Sequence, residues 1–215
     1  MKPPVLVPVN RLDRAKGRLS EVLTPSQRSE LALATLATVL AAVEGAGTHA
    51  LVLTADPSVR VAVGFPHSAI GEDESAEGLN EQLTIAVRAL EATEVLILHG
   101  DLPLASASAL RSVIVAAAPA PSVTLVESAD GGTNALLLRP PGVIPLRYGK
   151  GSAALHRTEA ARAGATVASA GLPEVALDLD TPADIETLLG SEKGRTSEAG
   201  RLLRSWGFGN GRRQV

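Results

Sequence analysis

No cysteine occurs anywhere in the chain, which removes disulfides, thiolate nucleophiles and cysteine-ligated zinc together and fits a reducing compartment. Aromatic residues are almost as scarce. Phe65, Tyr148, Trp206 and Phe208 are the whole set, too few for base-stacking platforms, so nucleic acid is not an expected partner. Neither sign of charge dominates: 20 Lys and Arg against 23 Asp and Glu leave a net charge of -3, so any phosphate binding has to come from a local site. No apolar run approaches the roughly 18 residues of a membrane span, and Met1-Lys2-Pro3-Pro4 lacks the layout of a signal peptide. The expectation is a cytoplasmic protein with no membrane partner. The four histidines, His49, His67, His99 and His156, share no metal-binding spacing, and neither G-x-S-x-G nor G-x-G-x-x-G is present. A histidine zinc site, a nucleophile elbow and a dinucleotide fingerprint are thereby excluded.

What is present is apolar surface in short pieces, 45% of 215 residues and enough for a full core. Val5–Val9, His49–Thr54, Ala69-Ile70, Glu94–His99, Val123–Val126 and Thr133–Leu138 read as strands. Thr24-Pro25-Ser26-Gln27 carries a capping box with proline at the first helical position, opening a helix that runs to about Val43. Leu79, Leu83, Val87 and Leu90 mark a second helix, Leu110, Val113 and Ile114 a third behind a cap at Ser106 or Ser108, and Leu155 to Ala163 a fourth. Such alternation specifies βαβ units and a parallel sheet. After Glu127, Ser128 to Gly132 join the strands at 123–126 and 133–138. That is too short for a helical crossover, so this pair is expected to be antiparallel or splayed. Residues 1–189 form the expected domain. From 190 the composition turns to Gly, Ser, Arg and Lys, and residues 190–215 read as a mobile C-terminal tail with Trp206 and Phe208 as docking points.

The chemistry-bearing residues cluster just beyond strand ends. In Glu94-Val-Leu-Ile-Leu-His-Gly-Asp101 a fully apolar strand delivers Asp101 to the edge where open α/β sheets bind ligands, although an Asp after Gly also makes a plain turn. Directly after the first strand, Arg11, Arg14, Lys16 and Arg18 put four cations within eight positions. They read as exposed side chains suited to a polyphosphate, with Gly17 allowing close backbone approach; a solvated loop is the competing reading. Asn80, at the start of the second helix, offers an amide to a base or ribose, or simply caps the helix. Tyr148-Gly149-Lys150-Gly151-Ser152 places two glycines and a hydroxyl at a helix start, which suits a small phosphate or carboxylate as well as an ordinary cap. Val175 to Asp180 is expected to be a short strand whose period of two puts Asp178 and Asp180 on one face. Paired carboxylates call for a cation, and oxygen ligands suit Mg²⁺.

Six of these stretches, in order, carry a resemblance: Pro8-Val9-Asn10-x₅-Lys16-x-Arg18-Leu19, Gly78-Leu79-Asn80, Gly100-Asp101-Leu102-Pro103, Gly132-Thr133-Asn134-Ala135-Leu136, Tyr148-Gly149-x₂-Ser152-x₃-His156 and Leu177-Asp178-Leu-Asp180-Thr-Pro-x-Asp184. Together they resemble the 2-phospho-L-lactate or phosphoenolpyruvate guanylyltransferase family of coenzyme F-420 biosynthesis. The resemblance implies a nucleotidyltransferase-type (Rossmann-like) three-layer α/β/α sandwich with a mixed, mostly parallel central sheet. It implies GTP held by Asn10, Lys16, Arg18, Gly78 and Asn80, with Lys16, Arg18 and Asp101 catalytic and Mg²⁺ on Asp101, Asp178 and Asp180. Thr133, Gly149 and Ser152 would hold the phosphorylated three-carbon acid, phosphoenolpyruvate first, with 2-phospho-L-lactate and 3-phosphoglycerate as alternatives. Two positions depart from the pattern: Asn10 stands where Lys is expected, and Ala153 where many relatives carry Phe, which would widen the acceptor pocket. Asp178-Leu-Asp180 also resembles a metal-binding D-x-D, so a molybdopterin nucleotidyltransferase or a glycosyltransferase is a second class and a non-catalytic nucleotide-binding module a third. The oligomeric state is left open, a homodimer among the options.

Overall fold

A computed structural model describes residues 2–209. Seven strands form one sheet in the order β3-β2-β1-β4-β6-β5-β7. β1 (Val5–Pro8) is flanked by β2 (Ala50–Leu53) and β4 (Val95–Leu98), both parallel to it, and β3 (Ser68–Ile70) pairs parallel with β2. The chain winds outward from β1 to β3 and then restarts on the other side of β1. The crevice beyond the carboxyl ends of β1 and β4 is therefore a topological switch point. β6 (Thr133–Arg139) runs antiparallel between β4 and β5 (Ser122–Glu127), the first of the two arrangements expected from the short connection. Its reversal brings the beginning of β6 to the same edge at which β4 ends. β7 (Thr166–Ser169), which the sequence patterning passes over, closes the sheet as a parallel edge strand on β5. Its four residues are largely exposed, so no apolar run marks them.

Side chains alternate across the sheet and divide the core in two. Leu96 and Leu98 of β4 join Val5 and Val7 on one face, against α1 (Pro25–Gly45) and α4 (Ala107–Val115). Val95 and Ile97 join Leu6, Leu136 and Leu138 on the other, against α3 (Leu79–Arg88) and α5 (Ser152–Arg162). The result is the expected three-layer α/β/α arrangement with a mixed, mostly parallel sheet. The capping box forms as read: Thr24 Oγ1 accepts from Gln27 N–H, and Gln27 Oε1 from Thr24 N–H. Ser106, rather than Ser108, caps α4. Between β2 and β3, α2 (Pro57–Ala62) is capped by Asp56.

The segment carrying Asp178 and Asp180 is not the strand expected. α6 (Pro173–Ala176) starts at a proline, and residues 177–180 then run without a sheet partner. One backbone bond, Leu179 N–H to Asp101 carbonyl at 3.3 Å, ties them to the end of β4. Leu179 is fully buried, so its two flanking aspartates turn back toward the edge of the sheet.

After α7 (Pro182–Gly190) the chain continues into α8 (Glu192–Thr196) and α9 (Glu198–Ser205). Both lie within the segment read from composition as a tail, yet Ala199 and Leu203 are fully buried, in a third apolar cluster with Leu19, Leu31, Leu179 and Ile185. Trp206 and Phe208 pack against it, as docking residues should. A Cβ on Gly194 would collide with the Leu188 carbonyl, so that position has to be glycine for α8 to sit against α7. Residues 210–215 of the expected tail lie outside the described residues.

Candidate active site

A cleft of about 760 Å³ opens at the switch point, lined among others by Asn10, Lys16, Arg18, Gly78, Asp101 and Asp180. The basic loop reaches it because Asp56 does two tasks. Its carboxylate caps α2 through Ser58 and Val59 N–H and also accepts the Leu12 backbone N–H at 2.8 Å. That bond to Leu12 is the main reason its pKa is held below the usual carboxylate range. Lys16 adopts a left-handed backbone conformation (φ 52°) and turns its side chain inward, while Gly17 does not. Lys16 Nζ then lies 3.3 Å from Asp101 Oδ2 and 3.8 Å from Asp180 Oδ1, with its side chain only 3% exposed. Arg18 stays exposed on the cleft wall.

Asp101 reaches this point because Gly100 lets β1 and β4 close up: a Cβ there would meet Val9 at 3.1 Å and Val7 at 3.4 Å. Asp101, Asp178 and Asp180 each offer a carboxylate oxygen within 4.8 Å of the others. Burial is the largest single influence on Asp101 and works to raise it, but the Lys16 ammonium, His99 and hydrogen bonding together hold the carboxyl below its ordinary value. Asp178 and Asp180 are pushed up, first by burial and then by the negative charge of Asp101, Asp180 to about 6. Lys16 thus sets one positive charge, shared by Asp101 and Asp180, against three carboxylates. Asp101 Oδ1 is buried with no hydrogen-bond partner among the described residues. An orphaned oxygen within an all-carboxylate set fits a hard divalent cation. Asn134, at the start of β6, orients Asp178 by donating to its Oδ1 at 3.4 Å and to the carbonyls of Val175 at 3.0 Å and Ala176 at 3.2 Å.

A second group of predicted residues meets beside the cleft rather than on its wall. Ser152 O–H donates to Thr133 Oγ1 at 3.0 Å, and both residues are 1% exposed. His156, one turn further along α5, touches the same Thr133 oxygen with Nδ1 at 3.1 Å and accepts the Arg147 backbone N–H at Nε2, 3.0 Å away. Between Arg147 and Ser152 the loop passes through Gly149 (φ 133°) and Gly151 (φ 68°), and Gly149 is exposed.

Two further positions have partners that the sequence did not suggest. Asn80 Oδ1 accepts Tyr148 N–H at 2.7 Å and its Nδ2 donates to Tyr148 O at 3.0 Å, so the side chain joins the α3 start to the glycine loop. Ala153 is fully buried in the core with Leu136 and Ala160, on the core side of the helix that follows the glycine loop. Sequence reading passed over Asp56, Asn134 and Glu72, the last on the cleft wall. Asp followed by Pro is a local turn and cap signal, whereas the reach of Asp56 back to Leu12 has none.

The chain resembles known proteins over nearly its whole length. Residues 3–211 match the family model described as guanylyl transferase CofC like. A phosphoenolpyruvate guanylyltransferase of Rubrobacter xylanophilus is 40% identical over 188 residues, covering 85% of this chain and 91% of that protein. A 2-phospho-L-lactate guanylyltransferase of Natrialba magadii is 37% identical over 213 residues, 91% of this chain and 89% of that one. Among solved structures, a nucleotidyl transferase from a Methanothermobacter species superposes with a TM-score of 0.64 at 18% identity, over 95% of this chain and 99% of the other, which supports the fold. With its switch-point cleft, acidic trio and buried lysine, the chain belongs to the guanylyl transferase CofC-like family and is a nucleotidyltransferase.

Proposed function

We propose that the enzyme transfers GMP from GTP to the phosphate of phosphoenolpyruvate. The observation that carries this reading is the pairing of two anion sites along one sheet edge: a cation-lined cleft facing three carboxylates, and a glycine loop held at the antiparallel break next to it. Asn10, Lys16, Arg18 and Gly78 face the nucleotide. Glu72, on the same wall, offers acceptors to the N–H edge of a guanine. Gly149, Thr133 and Ser152 serve the acceptor's anionic groups. An oxygen of the acceptor phosphate forms a bond to the α-phosphorus of GTP as the bond to the β-bridging oxygen breaks, and pyrophosphate departs. A phosphate monoester is already largely ionised at neutral pH, so no protein base and no protein nucleophile is required. Asp101, Asp178 and Asp180 would hold Mg²⁺, which when bound supplies the charge that lets two polyanions approach. Lys16 and Arg18 add fixed positive charge to the phosphates.

Phosphoenolpyruvate is put before 2-phospho-L-lactate and 3-phosphoglycerate on resemblance, since the Rubrobacter xylanophilus relative, 40% identical, is a phosphoenolpyruvate guanylyltransferase. Incubating the protein with GTP, Mg²⁺ and each acid in turn, with pyrophosphate as the readout, tests the reading. The highest kcat/KM is expected with phosphoenolpyruvate. A higher value with either neighbour overturns the acceptor, and pyrophosphate from none of the three overturns the activity.

A further inference from the structure

We infer that His156 is a positioning residue of the acceptor site, whose Nδ1–H form clamps both ends of the Arg147–Ser152 loop and leaves the Thr133 hydroxyl free only to donate. The inference rests on the acceptor reading above.

The argument is a proton inventory. A backbone N–H can only donate, so Arg147 N–H at 3.0 Å requires His156 Nε2 to be the bare nitrogen. Burial of the ring pushes its pKa down to about 4, so at neutral pH it carries a single proton, which then sits on Nδ1. That N–H donates to Thr133 Oγ1 at 3.1 Å, and Ser152 O–H donates to the same oxygen at 3.0 Å. Both acceptor positions of the Thr133 hydroxyl are then filled, and no hydrogen bond donated by its own hydrogen is found among the described residues. An ionised phosphate or carboxylate, which only accepts, is the ligand that such a hydroxyl suits. One backbone N–H thus fixes the ring proton on Nδ1 and, through it, the acceptor role of the Thr133 oxygen. The clamp is also mechanical. One ring nitrogen fixes Arg147, the other fixes Ser152 through Thr133, and Tyr148 between them packs its ring edge-on against His156 with centroids 5.0 Å apart.

Two variants separate the roles of the nitrogens. His156→Asn places an amide N–H near the position of Nδ1 and can keep Thr133 supplied. His156→Gln reaches toward the position of Nε2 and abandons Thr133. The expected result is an acceptor KM raised at least tenfold in His156→Gln, about threefold in His156→Asn, and a GTP KM within twofold of wild type in both. An unchanged acceptor KM in His156→Gln, or an equal rise for both substrates, overturns the inference. Nitrogen-15 spectra of wild-type protein with labelled imidazoles give a readout that needs no variant to fold: a protonated Nδ1 and bare Nε2 at neutral pH are expected, and the opposite form overturns the inference by itself. Wild-type protein that turns over no acid overturns the functional reading and this inference with it. Turnover with normal His156→Gln kinetics overturns this one alone.

Discussion

Asn80 and Tyr148 grip each other through two hydrogen bonds, Tyr148 N–H to Asn80 Oδ1 at 2.7 Å and Asn80 Nδ2–H to Tyr148 O at 3.0 Å, across 68 residues of sequence. The start of α3, beside the cleft, is thereby joined to the glycine loop. Two such bonds at about 1 kcal/mol each are worth roughly tenfold or more in a rate or affinity. Asn80→Ala should therefore raise the acceptor KM by about tenfold while calorimetric GTP affinity stays within a fewfold. Loss of GTP affinity with a normal acceptor KM would return Asn80 to the base-reading role that its sequence position suggests.

The two cations of the basic loop should behave differently, because one is buried and the other is not. Lys16→Ala leaves Asp101 and Asp180 uncompensated. It should lower metal-free stability by about 1–3 kcal/mol, with part of the loss restored by millimolar Mg²⁺. Arg18→Ala should weaken GTP binding and leave the melting temperature within a degree or two. Thermal melts with and without Mg²⁺ check both, and equal melting curves for the two variants would contradict the burial of Lys16.

Asp101→Asn should give a folded protein that has lost at least about a thousandfold in turnover, since it removes the charge on which Lys16 and the acidic trio converge. Pyrophosphate release at saturating Mg²⁺ is the measurement. Near-normal activity would remove Asp101 from the site.

The depressed pKa of His156 predicts a pH dependence. Its folded value of about 4 lies below the ordinary 6.5, so the unfolded chain binds the proton first. The stability this difference supplies is complete above pH 6.5 and is lost as pH falls toward 4, up to about 3 kcal/mol in all. Asp180, raised to about 6, acts in the opposite direction over part of this range. The measurement is therefore the difference between wild type and His156→Gln in urea unfolding from pH 7.5 to 4.5, which should shrink as pH falls. A constant difference would mean that His156 is not buried neutral.

A chain ending at Gly190 should fail to fold or melt far lower. Removing α8 and α9 strips Ala199 and Leu203 from the cluster that also holds Leu19, next to Arg18, and Leu179, between the two aspartates. An unchanged melting temperature and GTP affinity would show that residues 191–215 are the dispensable tail their composition suggests.

The local sequence by itself determined most elements and the edge at which chemistry sits. Apolar runs of four to six residues, the Thr24–Gln27 capping box and Pro at helix starts are short-range signals, and an Asp after a buried strand falls on the carboxyl edge whatever the rest of the chain does. The five-residue link before Thr133 left an antiparallel or splayed pair, and the antiparallel pairing that formed brings Thr133 to that edge. What only the tertiary structure decided were contacts between distant segments. Lys16 is buried rather than exposed because Asp56 draws the loop inward at Leu12, 44 residues away. Residues 177–180 form no strand because no sheet edge is free beside them, and Asn134 and Leu179 bring the aspartates to Asp101 instead. The polar composition after residue 190 hid two helices, because in them a few small and apolar residues, Gly194, Ala199 and Leu203, do the packing. Composition averages a segment, whereas burial depends on which few side chains face the core.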